Sequence, residues 1–136
     1  MVALLIGQYA VAALFGAMVF FPIVVAPTTF KILDAKNAGL FLRALFPGYY
    51  AFIIMGSLVG AAGFYQRPLI AALLGAIGLS TLLVRQVLMP KINAWRDQEL
   101  AGDTGAAKAF ALGHRLSVAI NMVQLGLLVW IFWLLR

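Results

Sequence analysis

Phe110, His114, Ser117 and Asn121 follow one another at intervals of four, three and four residues inside a long apolar stretch. On a helix that spacing stacks them along one stripe, which climbs about 16 Å from an interface towards the middle of a membrane. An imidazole, a hydroxyl and a carboxamide on such a stripe can orient the polar groups of a ligand, relay a proton or ligate a haem iron. Polar groups in lipid need partners, and those at matching depth are Arg85 and Gln86, Tyr49 and Tyr50, and Thr28 and Thr29. Arg85 and Arg115 carry the charge to attract a carboxylate or phosphate, while Phe46, Tyr49 and Phe110 can cover an apolar body. The candidate ligand site is therefore Arg85, His114, Ser117, Asn121, Tyr49 and Phe110, open to one side of the membrane, with Asn121 its deepest strongly polar member.

Each of these residues also has a plainer use. His114, beside Arg115 near an interface, can be simply solvated; Asn121 can lock two helices together; Arg85 can snorkel to the headgroups, as Arg115 is expected to do. Other chemistry is poorly supplied. A single histidine and no cysteine cannot build a zinc site, and the four carboxylates, Asp34, Asp97, Glu99 and Asp103, all fall in polar connections, so no acidic proton wire runs inside the membrane. Ser117 has His114 three residues away but no acidic residue to orient it, which argues against a serine hydrolase. No residue is assigned a catalytic role.

The elements that must position this stripe are four apolar stretches, Val2–Phe30, Leu45–Tyr65, Pro68–Pro90 and Phe110–Leu135. Of 136 residues, 65% are apolar and 10% charged; mean hydropathy is +1.04. Soluble domains are about half apolar and about a quarter charged, so the solvent of this chain is a bilayer. The expected architecture is all-α: one transmembrane domain over residues 1–136, an integral membrane four-helix bundle with spans at about 3–27, 45–65, 68–90 and 110–135. Lys31 to Arg43 mixes four charges with Ile32, Leu33, Leu40, Phe41 and Leu42, which predicts a short interfacial helix between spans 1 and 2. The first span lacks the basic start and short core of a signal peptide, so Met1 is expected to stay in the mature protein; Pro22 and Pro27 should bend or end it. Gln66-Arg67-Pro68 is a tight polar turn, forcing spans 2 and 3 into an antiparallel hairpin. The third span is expected to run to Pro90, with a hydrophilic connection over 91–109 in which Trp95 marks the interface. Gly56, Gly60 and Gly63 in span 2 and Gly75 and Gly78 in span 3 let helices approach closely or leave room for a cavity.

The net charge of +6 could suggest nucleic acid, but the cations stand singly at helix ends, not in a soluble basic face. They report orientation instead. Lys31, Lys36, Arg43, Arg85, Lys91, Arg96, Lys108 and Arg115 share one side, against Arg67 and Arg136 on the other. The positive-inside rule then predicts cytoplasmic connections at 28–44 and 91–109 and both termini outside, in a bacterial inner membrane.

Phe20-Phe21-Pro22, Leu45-Phe46-Pro47-Gly48-Tyr49-Tyr50, Pro90 with Asn93, and above all the Phe110 to Asn121 stripe give a pattern that resembles the transmembrane protein 205-like family of small four-span proteins. The resemblance implies membrane residence and no particular reaction. Three functions are open at this point. The first is a non-enzymatic protein that binds or helps move a small amphipathic or anionic ligand, acting as a homo-oligomer if it transports, because four spans are few for alternating access. The second is an oxidoreductase using haem or a quinone, with His114 as axial ligand and Arg85 on a haem propionate. The third is a structural or assembly subunit of a membrane complex, in which the glycine-rich second span and aromatic fourth span make lateral contacts.

Overall fold

A computed structural model describes residues 1–136 as four long helices: α1 Val2–Ile32, α2 Ala35–Gly63, α3 Pro68–Leu100 and α4 Thr104–Leu134. All four are long and apolar enough to cross a membrane, and the chain is a polytopic all-α membrane protein with the expected four-helix architecture. Successive helices run antiparallel and pack in ring order, α1 on α2, α2 on α3, α3 on α4, with α4 closing back onto α1. The two termini and the Phe64–Arg67 turn share one end, called here the terminal end; the other, basic end holds the α1–α2 and α3–α4 turns.

Lengths of 29 to 33 residues correspond to about 44–50 Å of helix, well beyond a hydrocarbon core of about 30 Å. The helices therefore project past the bilayer, and two sequence expectations change. No separate interfacial helix forms between spans 1 and 2: Leu33 is extended, Asp34 caps the next helix, and residues 35–43 are simply the first turns of α2. The hydrophilic segment after Pro90 is likewise the continuation of α3 to Leu100. Only residues 101–103 separate it from α4: Gly102 takes the positive φ of +101° that ends α3, and Asp103 accepts hydrogen bonds from the Gly105 and Ala106 amides to start α4.

The prolines do not end helices either. A π-turn at Phe21–Val25 precedes Pro27, and another at Val84–Leu88 precedes Pro90. A proline has no N–H to give the preceding turn and its ring crowds a carbonyl there, and a widened turn accommodates both defects without breaking the rod.

Packing is tightest towards the terminal end, where Val11, Leu14 and Met18 of α1, Ile53 of α2, Leu74 and Ile77 of α3 and Leu128 and Ile131 of α4 form one buried cluster. Glycines set the helix spacing there. A Cβ built on Gly63 would lie 2.6 Å from the Gly7 backbone, and one on Gly78 would lie 3.1 Å from Ser57 Cβ. Gly75 meets nothing within 4 Å and faces outward. Towards the basic end the interior loosens: residues 39–52 of α2 and 114–123 of α4 include none that is buried.

Candidate functional site

The loosened half of the bundle is lined by aromatic side chains. The π-turn carries Phe21, whose ring lies 4.9 Å from Tyr49 and 5.3 Å from Phe46, and Tyr50 stacks on Phe46 at 5.4 Å. Phe46, Tyr49 and Tyr50 share a helix face because their spacing is three and four residues, and Pro47 sits among them without interrupting α2. Across from this face stands α3. Ser57 of α2 meets Gly78 of α3, so about two turns further along each antiparallel helix Tyr50 and Arg85 come level.

Three buried side-chain atoms in the molecule have no hydrogen-bond partner: Tyr49 Oη, Arg85 Nε and Ser57 Oγ. Ser57 belongs to the α2–α3 contact, against Gly78. The other two lie at a similar height on neighbouring helices, Tyr49 among the aromatic rings of α1 and α2. Asn121 of α4 is the neighbour that reaches the Tyr49 hydroxyl, although no hydrogen bond of ordinary geometry closes between them. Arg85, Tyr49 and Asn121 thus bring a guanidinium, a phenol and a carboxamide to a similar height on three of the four helices, with Asn121 next to Tyr49.

The remaining members of the sequence stripe go elsewhere. His114 is exposed and stacks on Phe110 at 6.1 Å, and the Arg96 guanidinium sits 5.2 Å above the Phe110 ring. Ser117 turns its hydroxyl back to donate to the His114 carbonyl at 2.8 Å. Helical spacing puts these residues on one stripe, but only its Asn121 end reaches Tyr49.

One polar residue on the same stripe escaped the sequence reading. Gln124 is three residues beyond Asn121, one turn deeper and buried; it is the deepest strongly polar group of α4, a place the sequence assigned to Asn121. Its side-chain amide donates to Ser80 Oγ at 2.8 Å and Thr81 Oγ1 at 3.0 Å, joining α4 to α3 in mid-membrane. The register 114, 117, 121, 124 was the signal that could have found it.

All four carboxylates are already engaged. Asp34 and Asp103 cap helices, Asp97 pairs with Arg43 at 2.8 Å and Glu99 with Arg96 at 2.6 Å. Arg85, Lys91, Lys108 and Arg115 therefore have no acidic partner, and the basic end keeps an uncompensated positive charge.

A family model described as "Domain of unknown function (DUF4149)" matches residues 9–101. The chain belongs to the DUF4149 family. It is also 30% identical, over 109 residues, to an uncharacterized protein of Aquifex aeolicus (strain VF5), a match that covers 78% of this chain and 76% of the relative. No solved structure matches. The DUF4149 match takes in Phe21, Phe46, Tyr49, Tyr50 and Arg85 and ends before Asn121 and His114. Phe20-Phe21-Pro22, the Leu45 to Tyr50 motif and Pro90 with Asn93 lie inside the matched residues, and the Phe110 to Asn121 stripe lies outside them.

Proposed function

We propose that this DUF4149 protein binds, and helps to move, a small amphipathic molecule with an anionic end, held between the helices towards the basic end of the bundle. The reading rests on two buried, unpartnered polar atoms, Arg85 Nε and Tyr49 Oη, which the α2–α3 register brings to a similar height on neighbouring helices, with Tyr49 among the rings of Phe21, Phe46 and Tyr50. A buried donor without a partner is costly, more so in lipid, and a ligand carboxylate or phosphate would satisfy both groups at once. Arg85 supplies the charge, Tyr49 and Asn121 the orientation, and Phe21, Phe46 and Tyr50 the apolar cover. In this reading His114 and Ser117 line the approach to the site and do not hold the ligand. In this reading the basic end faces the cytoplasm of a bacterial inner membrane, with Met1 and Arg136 outside, and movement across the membrane involves more than one copy. The bacterial origin of the Aquifex relative accords with that setting.

The test uses laurate and its methyl ester, which share an apolar chain and differ in charge, with calorimetric titration of the protein in mild detergent. Laurate is expected to bind and the ester not. Arg85→Gln should weaken laurate binding by about tenfold to a hundredfold, the loss of a charge-assisted contact of about 1.5–3 kcal/mol. Tyr49→Phe and Asn121→Ala should weaken binding less, and His114→Ala least. Binding unchanged in both Arg85→Gln and Asn121→Ala would refute the assignment.

A further inference from the structure

A separate feature lies on the outer side of the α3–α4 seam, away from Tyr49. Two adjoining grooves of about 470 and 400 Å³ share Ser80 and Ile120 in their walls and so run end to end along the two helices. They begin between Ala76 and Leu127 at mid-membrane and finish at Lys91 and Trp95. The α4 side is formed by Leu116, Ala119, Ile120 and Val123, which turn to the opposite edge of the helix from Asn121.

From Ala76 to Lys91 is about 22 Å along α3, enough to cross one hydrocarbon leaflet of about 15 Å and enter the headgroups. Spread over that length, the two volumes give a cross-section of roughly 40 Å², about half that of a helix of 10 Å diameter and ample for an extended hydrocarbon chain. The lining is apolar except for Ser80 and Gln124, whose hydrogen bonds to one another and to Thr81 form its floor, and Lys91 at the interfacial end. Lys91 has no acidic partner, since both ion pairs of the chain lie elsewhere. Trp95 stands beside it, anchored against Gly113 where a Cβ would come within 2.8 Å of the ring.

We propose that this seam is a binding site for an anionic phospholipid of the leaflet at the basic end, with one acyl chain lying in the groove and the phosphate against the Lys91 ammonium. Charge complementarity selects the occupant: an apolar trough one leaflet long that ends on an unpaired cation suits a single-chain tail with an anionic head. A neutral apolar helix from a second protein would leave the Lys91 charge unpaired.

Trp95 reports on the site directly. Trp130 and Trp133 are replaced by Phe, and the single-tryptophan protein is placed in phosphatidylcholine nanodiscs with increasing fractions of brominated phosphatidylglycerol or brominated phosphatidylcholine. The brominated anionic lipid should half-quench Trp95 at about a fivefold lower fraction, the factor expected for one lysine near the surface. Lys91→Gln should remove that advantage, and Ala119→Leu, which fills the trough from an exposed position, should reduce it; Arg85→Gln should leave it unchanged. Equal quenching by the two lipids, or an advantage that survives Lys91→Gln, would overturn the proposal. So would shielding of Trp95 from both lipids, which would mean that protein covers the seam.

Discussion

Replacing Gly63 by alanine probes the contact that draws α1 against α2. The added Cβ would sit 2.6 Å from Gly7 Cα and N and 2.7 Å from the Ala3 carbonyl oxygen, against an ordinary contact starting at 3.4 Å. The obstructing atoms are backbone on a facing helix, so no rotamer change relieves them, and α1 must retreat by roughly 0.8 Å at this point. Overpacking of this kind costs about 1–3 kcal/mol, and an obstruction by rigid backbone belongs at the upper end. The helix propensity that alanine ordinarily gains over glycine, about 1 kcal/mol, offsets little here, because helices separated in a bilayer remain helical. The expected loss is therefore about 2–3 kcal/mol, or about 30- to 150-fold in the equilibrium between packed and separated helices. Gly75→Ala and Gly126→Ala serve as controls, since a Cβ at either meets nothing within 4 Å. Gly7→Ala should be milder than Gly63→Ala because its Cβ meets chiefly the Phe64 ring, a side chain that can yield. Reversible unfolding by dodecyl sulfate in mixed micelles, followed by helical circular dichroism and tryptophan fluorescence, ranks the four variants. A Gly63→Ala protein within about 0.5 kcal/mol of Gly75→Ala would refute the argument that this glycine is needed for close approach.

The Gln124 cluster and the first helix cap have their own expected outcomes. Gln124→Leu removes the hydrogen bonds of its amide to Ser80, Thr81 and, more weakly, the Ile77 carbonyl, and should cost about 1–2 kcal/mol, at the average of about 0.6 each found for interhelical bonds in membranes, measured by the same unfolding assay. A variant as stable as the parent would deny the cluster a role in joining the helices. Asp34 is held below its usual carboxylate range by the Asn37 backbone amide, then by the Asn37 side chain, with the Lys36 amide assisting. A lowered folded value means that the cap contributes above the unfolded value and is lost as pH falls through the folded one. Exchange of the Lys36 and Asn37 amides, corrected for intrinsic rate, should therefore accelerate only below the ordinary carboxylate range of pH, and Asp34→Asn should remove that dependence; an Asp34 carboxyl titrating at or above 3.8 would contradict the capping account.

Much of the architecture was legible along the chain because it depends on local sums. Twenty apolar residues in a row are a span wherever they lie, and Gln66-Arg67-Pro68 dictates a hairpin without reference to any other segment. The helix ends were less legible. Lys31 to Arg43 and residues 91–109 are too polar to lie in lipid, and polarity alone does not distinguish a loop or a surface-lying helix from a transmembrane helix that continues into water. The caps were the missing clue: Asp34 before α2, and Gly102-Asp103 between α3 and α4. Pro27 and Pro90 misled for a related reason, since a π-turn upstream accommodates a proline that would otherwise stop a helix.

The candidate site divides along the same line. Sequence by itself determined the chemical inventory: Arg85, Tyr49, Asn121 and His114, the absence of cysteine, and the exclusion of acids from the spans. Helical spacing also determined that Phe110, His114, Ser117, Asn121 and Gln124 occupy one stripe, because that is a property of a single helix. Only the tertiary structure decided which of them turn inward. The Ser57–Gly78 contact sets the register of α2 against α3 and so brings Tyr50 level with Arg85; the Gln124–Ser80 bond places α4, with Asn121 reaching Tyr49 and His114 left outside. Such registers are set by contacts between helices far apart in the chain, which no local pattern encodes.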